Sequence, residues 1–492
     1  MALTDQHIRN IFIYVLPKFF SYGINLITLP ILTRLLAPRE FGIIALAWMF
    51  PSVAVCVLTC GLSSAAQRYY FEYRDDDKKM SAFIFSVQVF LYISLILSSV
   101  AVFFLKDAIS MVSMGDNSFG MAIFITFVAG FLANIVTFYL NLYQNMGKAA
   151  VHSLFTIVQG TIIVLSGLVL VMVFKLSYMG VLYGSLLGSA VVCFAMMVNF
   201  NKPLRVDFNS AVLWDNIKYG LQVVPKTFAT FVTKFFDKYM LNNMLSLSVV
   251  GIYNIGQMVG NAIFFLMGKV WSAFQPVCYG EIFDKGDSAS DYVGRLFTKF
   301  AYVALTPVLL LILFAQELVY VLAPEPYYGA INVIIVLVAG NSTQIFGKHS
   351  GVQYAYSKKA YWLFPIVVAG TLLNVGANIV LIPRIGLMGA AASTCIFYLF
   401  INVFFTVIGQ KLYKISYEWG MIALLYSVII SAAVAILYLR SRDCPIFYLY
   451  LIKASFIGVF YYVGVKAGVI TRQSVAKVFR SLLGFLPKGK TL

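Results

Sequence analysis

Apolar runs of about twenty residues recur along the whole chain, and few architectures can absorb them. Each run is long enough to cross a hydrocarbon core of roughly 30 Å as a helix, and polar breaks separate one from the next. Of 492 residues, 61% are hydrophobic and 11% charged, with a mean hydropathy of +0.88. Soluble domains hold roughly 45–50% apolar and about 25% charged residues. The expected fold is therefore an all-α integral membrane protein. About fourteen spans are predicted, starting near Ile11, Phe41, Ser81, Phe119, Val151, Tyr178, Ile217, Val249, Val293, Tyr327, Tyr361, Gly386, Trp419 and Pro445. The opening MALTDQHIRN leads into an apolar segment with no small-residue cleavage site, so no cleaved signal is expected.

The net charge of +17 does not point to nucleic acid, because membrane proteins gather Lys and Arg in their cytoplasmic loops. One alternate set of loops holds Arg68, Arg74, Lys78 and Lys79, then Lys148, Lys202, Arg205 and Lys218. It continues with Lys285, Arg295, Lys299, Lys358, Lys359, Lys411 and Lys414. The opposite set holds only Arg34, Arg39, Lys106, Lys175, Arg384, Arg440 and Arg442. Both termini are thus expected in the cytoplasm.

An internal repeat organises the chain. VLPKFF (Val15 to Phe20) is echoed by VVPKTF (Val223 to Phe228), 208 residues on from proline to proline. Gly42 in FGIIALA and Gly251 in VGIYNIG lie 209 apart, Gly160 and Gly370 lie 210 apart, and Gly180 and Gly389 lie 209 apart. Four matches near one offset argue for duplication. Each half holds six helices, an even number, so the halves share an orientation and relate by an axis along the membrane normal. The expected organisation is an N-terminal six-helix bundle (1–200), a cytoplasmic linker (201–216) and a pseudo-symmetric second bundle (217–414). Two extra helices (415–470) and a basic amphipathic tail (471–492) follow, the tail lying on the inner membrane surface.

Several motifs carry no chemistry. GFLPKGKT (Gly484 to Thr491) matches the phosphate-loop pattern, but no strand precedes it, no helix can follow it and Pro487 interrupts it. His7, His152 and His349 have no ligand at metal spacing, and the six cysteines contain no CxxC pair and read as small buried hydrophobes. No nucleophile signature is present. Neither enzyme activity, a metal nor another cofactor is expected. Gly180, Gly184 and Gly188 form a ridge suited to close helix packing.

Charges at depth are the functional signal, because a lysine at mid-bilayer costs about 2.5–3.5 kcal/mol on insertion scales. Lys18 and Lys226 are repeat mates about ten residues into their spans. Lys226 and Asp237 are eleven residues, about three turns, apart and share a helix face. Lys234 and Asp237 are spaced to pair, and Lys269 adds a cation in the next span. Snorkelling accounts for Lys238 and Lys269 but poorly for Lys18 and Lys226. From Ile11 to Phe200 the acids stay in the loops, and Asp237 is the one acid placed within a helix at depth. A cation exporter needs buried carboxylates, so the expected cargo is anionic. The cationic cavity is assigned Lys18, Lys226, Lys234, Asp237, Lys269 and Arg34.

TRLLAPREFGIIALA (Thr33 to Ala47), its mate around Gly251 and IGLMGAAAST (Ile385 to Thr394) resemble the polysaccharide-export branch of the multidrug/oligosaccharidyl-lipid/polysaccharide (MOP) superfamily, and within it the Wzx-type O-antigen flippases. The resemblance spans essentially the full chain. It implies a V-shaped pair of six-helix bundles in a bacterial inner membrane, serving lipopolysaccharide or other polysaccharide biosynthesis. The implied cargo is an undecaprenyl-pyrophosphate-linked oligosaccharide, moved from the cytoplasmic to the periplasmic leaflet. Implied partners are membrane lipids, a polysaccharide polymerase or assembly proteins, and a coupling ion, proton or sodium. Three alternatives stand beside it. A MATE-like drug or metabolite antiporter would want an acid in the N-terminal half. A lipid II flippase differs only in the sugar. A membrane glycosyltransferase or polymerase would want an acidic outer loop, and the connection around Glu317 is short for one.

Overall fold

The computed structural model describes Pro17, Phe20 and residues 23–201, 207–442 and 445–469. Among them the chain is helical throughout, and helix length follows the apolar runs. The helices are α1 (Gly23–Leu35), α2 (Pro38–Ala47), α3 (Met49–Leu58), α4 (Leu62–Tyr73), α5 (Asp77–Met114) and α6 (Gly120–Asn145). Next come α7 (Ala149–Met172), α8 (Ser177–Asn201), α9 (Ser210–Met244), α10 (Leu247–Lys285), α11 (Ser290–Leu313) and α12 (Ala315–Leu322). The chain continues with α13 (Ala330–Ser342), α14 (Gln344–Tyr356), α15 (Leu363–Ile385), α16 (Leu387–Leu412), α17 (Trp419–Ser441) and α18 (Ile446–Lys466).

Among the described residues, twelve spans are long and apolar enough to cross a membrane. Two of the fourteen expected spans are not among them: α1 is a shorter apolar helix, and the 35-residue α9 carries charges. At 1.5 Å per residue α9 is about 52 Å long, ample for a bilayer. Pro225 sits inside it without ending it. Lys18 and the 471–492 tail, with its GFLPKGKT stretch, lie outside the described residues, as does part of the 201–216 linker.

The chain forms two compact units. The first contains the described residues up to Ile255, with Val319–Gly329 and Asn378–Ala390. Its core is aromatic, with Phe83, Phe127, Phe131, Phe138 and Tyr139 fully buried. By contrast Phe104 is 78% exposed, an outward residue that a lipid solvent suits. The glycine ridge on α8 works as expected. A side chain at Gly184 would strike the Gly167 backbone at 2.6 Å, and one at Gly188 would meet Ile163 at 2.4 Å.

One contact carries the 209-residue offset of the expected repeat. A Cβ on Gly42 would lie 1.9 Å from the Leu247 carbonyl oxygen, and one on Gly251 would lie 1.9 Å from the Pro38 carbonyl oxygen. Leu247 and Gly251 are 209 residues beyond Pro38 and Gly42. The crossing of α2 with the start of α10 is therefore reciprocal, each glycine resting on the carbonyl one turn before the other glycine.

The second unit contains Gly256–Leu318, Ala330–Ala377 and the described residues from Ala391 onward. Helix α11 is its spine, with one face buried from Val293 to Leu313 and packed on α13, α17 and α18. The turn between α16 and α17 is stitched down. Tyr413 donates to the Gly286 carbonyl (2.7 Å), the Ser416 N–H donates to Ser290 Oγ (3.0 Å), and Tyr417 Oη lies 2.8 Å from His349 Nδ1. These bonds tie the extra helix pair to the unit.

Candidate functional site

Asp237 is 1% exposed within α9. A carboxylate is tolerated at such a place only with partners. Its Oδ2 accepts from the Tyr253 hydroxyl at 2.9 Å and its Oδ1 from the Asn378 amide at 2.7 Å. Three helices, α9, α10 and α15, thus meet on one side chain in the first unit. Beside it Lys238 is buried. Its ammonium donates to Asn254 Oδ1 at 2.8 Å and lies 5.4 Å from the Phe235 ring centre, so it does not snorkel.

Arg34 is exposed at the end of α1, where its guanidinium donates to the Pro30 carbonyl (2.7 Å) and the Val321 carbonyl (3.4 Å). Those bonds satisfy helix-end carbonyls. Lys269 in the second unit is half-buried over Phe265, 5.3 Å from the ring centre. The backbone of Lys226 and Lys234 is helical, so their spacing from Asp237 holds, while their side chains lie outside the described residues.

Three features escaped the sequence reading. Lys348 on α14 is half-buried, with its ammonium 4.5 Å from the Phe264 ring centre and within 3.5 Å of where a Gly268 side chain would be. Among the described residues it has no ion pair. Lys453 on α18, 1% exposed, pairs with Glu317 of α12. The third feature is a cleft of about 450 Å³ in the first unit, between α3, α4 and α6. Consecutive left-handed residues, Cys60 (φ 48°) and Gly61 (φ 64°), break α3 from α4 there. A Cβ on Gly61 would meet the Gly220 carbonyl oxygen at 2.5 Å, so this position also needs glycine for space. The cleft is lined by Ser52, Thr59, Ser63, Ser64, Asn134, Thr137 and Asn141 among apolar groups, and by no charged side chain among the described residues.

The profile of the polysaccharide biosynthesis protein family matches residues 7–278, more than half of the chain. The chain belongs to that family. For a member of the polysaccharide biosynthesis family, the solved structures it is similar to are transporters. One is described as the lipid II flippase MurJ in an inward closed conformation. It matches with a TM-score of 0.70 and 14% identity, over 96% of this chain and 99% of that one. A multidrug resistance MATE family transporter of the MOP superfamily, in an inward-facing conformation, matches with a TM-score of 0.63 and 16% identity. That match covers 80% of this chain and 94% of the other. At these identities the likeness shows the fold alone, the all-helical arrangement that those transporters adopt. No curated protein matches the chain by sequence.

The Asp237 junction gives a direct test within this family fold. Asp237→Leu should remove the acceptor of two buried donors, each costing about 1–3 kcal/mol when left unmade. Folded protein in the membrane should fall several-fold. Asp237→Asn, which keeps an acceptor oxygen, should recover most of it. Equal levels for all three, by quantitative blot and thermal unfolding in detergent, would deny the junction its structural role.

Proposed function

We propose that this chain is a flippase that carries an undecaprenyl-pyrophosphate-linked oligosaccharide, an O-antigen or other repeat unit, from the cytoplasmic to the periplasmic leaflet of a bacterial inner membrane. The observation that carries this reading is Lys348, an ionisable group within a candidate span, Glu325–Tyr356, and without an acidic partner among the described residues. Such a group marks a substrate path by default. A cation there suits a phosphate-bearing cargo, and a carrier of organic cations would want a carboxylate in its place. Family membership supplies the polysaccharide context.

Stripping water from a sugar hydroxyl costs several kcal/mol without a partner, so the glycan needs a polar route while its prenyl tail can stay in lipid. Alternating exposure of that route by rocking one repeat against the other suits a duplicated chain. Asp237 is the proposed site for the coupling proton or cation. A change in its charge would alter the bonds that join α9, α10 and α15. A polymerase or assembly protein would receive the cargo.

Depleting the protein should abolish surface polysaccharide while its lipid-linked precursor accumulates, unreachable by a lectin added outside the inner membrane. Persistent surface polysaccharide together with lost drug tolerance would favour an antiporter and overturn the reading. Arrested peptidoglycan synthesis would favour lipid II as cargo. The proposed topology places Ser246 outside and Asp76 inside. A cysteine at 246, not at 76, should react with an impermeant maleimide, and the reverse pattern would invert it.

A further inference from the structure

We propose that the cleft between α3, α4 and α6 is a subsite for one uncharged sugar ring, an assignment that rests on the flippase reading and names which part of the cargo this unit recognises. The hydrogen-bonding ends that line it are mixed. Ser63 Oγ donates to Asn134 Oδ1 at 2.8 Å, which fixes that amide and leaves its Nδ2 donor without a protein partner among the described residues. The Ser64 hydroxyl has none either. Ser52 and Thr137 donate to carbonyls of their own helices, Trp48 at 2.6 Å and Ala133 at 2.8 Å, so their oxygens remain as acceptors.

Donors beside acceptors, with no charge among the described lining residues, complement groups that donate and accept at once, as sugar hydroxyls do. A phosphate or carboxylate would want donors and a cation, and an organic cation would want an acid. Trp48 and Pro51 give the cleft an apolar wall for the C–H face of a ring. Position 130 beside this wall is glycine, where a Cβ would press on Pro51 at 3.3 Å and touch the Trp48 ring at 3.5 Å. At about 450 Å³ the cleft is at the small end of sites that bury drug-sized ligands. It admits about one or two rings, not a whole repeat unit.

Cys56 also lines the cleft and is a free, half-buried thiol, which gives a native reporter. The full chain in lipid nanodiscs, carrying Cys60→Ser, would be treated with N-ethylmaleimide, and modification of Cys56 followed by mass spectrometry. The methyl glycosides of glucose, galactose and N-acetylglucosamine would be tested as protectants. At least one should slow the labelling. Ser64→Ala and Asn134→Leu should each raise its half-protecting concentration about tenfold, the effect of one lost hydrogen bond. Ser64→Ala removes no internal bond, so its result does not depend on folding.

No protection by any of the three, protection unchanged by both substitutions, or equal protection by tetraphenylphosphonium would overturn the subsite. Export that depends on the protein but tolerates both substitutions, with glycoside protection absent, would overturn the subsite and leave the flippase reading standing. Export independent of the protein would remove the reading itself.

Discussion

Exchanging Lys348 for methionine should lower export of surface polysaccharide about ten- to a hundred-fold at unchanged protein level. The size follows from the loss of one charge-assisted hydrogen bond to a phosphate oxygen, about 1.5–3 kcal/mol, through the affinity relation. Methionine keeps an unbranched apolar stem, and removing a charge makes insertion no harder. Lys348→Arg should retain part of the activity. Lys226→Met and Lys18→Met should act in the same direction, since the unbroken α9 keeps Lys226 on the helical register of Asp237 and Lys18 is its repeat mate. The measurement is surface polysaccharide in a strain lacking the chromosomal copy, normalised to protein in the membrane. Undiminished export from all three variants, singly and combined, would make these lysines structural and defeat the anionic-cargo reading.

The second large effect concerns assembly. Lys453→Met should destabilise the protein by about 3 kcal/mol, the lower end for a broken buried pair, because the Glu317 side chain remains 32% exposed. The loss comes from stranding a carboxylate. Lys453 also lies 5.1 Å and 5.0 Å from the Phe314 and Tyr450 ring centres. Replacing both residues with leucine should restore stability to near the parent or about 1–4 kcal/mol above it. Thermal unfolding in one detergent, with membrane yield, separates the outcomes. A double variant as unstable as Lys453→Met would show that the pair contributes something other than charge balance. Single apolar substitutions elsewhere on α17 and α18, which lie beyond the repeat, should leave export intact.

The fold was legible because a bilayer enforces it. A run of twenty apolar residues has one economical conformation in lipid, and the breaks between runs mark its ends. Length alone located even α9, despite its charges. The site was legible only in part. Asp237 stood out because an acid in an apolar helix is costly at any depth, but its partners Tyr253 and Asn378 are ordinary residues on distant segments. Lys453 is as isolated in its run as Lys226, yet Glu317, 136 residues earlier, could be matched to it only once α12 and α18 were packed. Lys348 lies in QIFGKHSGVQ, polar enough to read as a loop edge. The cleft left one trace, LTCGLSS, where small polar residues interrupt a span. A helix break and a loop look alike until the chain is seen to continue in line.

The reciprocal seating of Gly42 and Gly251 has a consequence for how the two halves could diverge. If both descend from one copy, the ancestral contact lay between a residue and the same residue of a second chain. Any change in the gene then appeared on both sides at once, and only the smallest side chain could face its own duplicate across a gap that leaves no room for a methyl. After fusion the two positions became separate codons, yet each still sees the carbonyl beside the other. Neither can enlarge until the opposing backbone withdraws. Relatives that carry a larger residue at one of these positions should show a compensating change in the helix opposite, written in the other half of the gene.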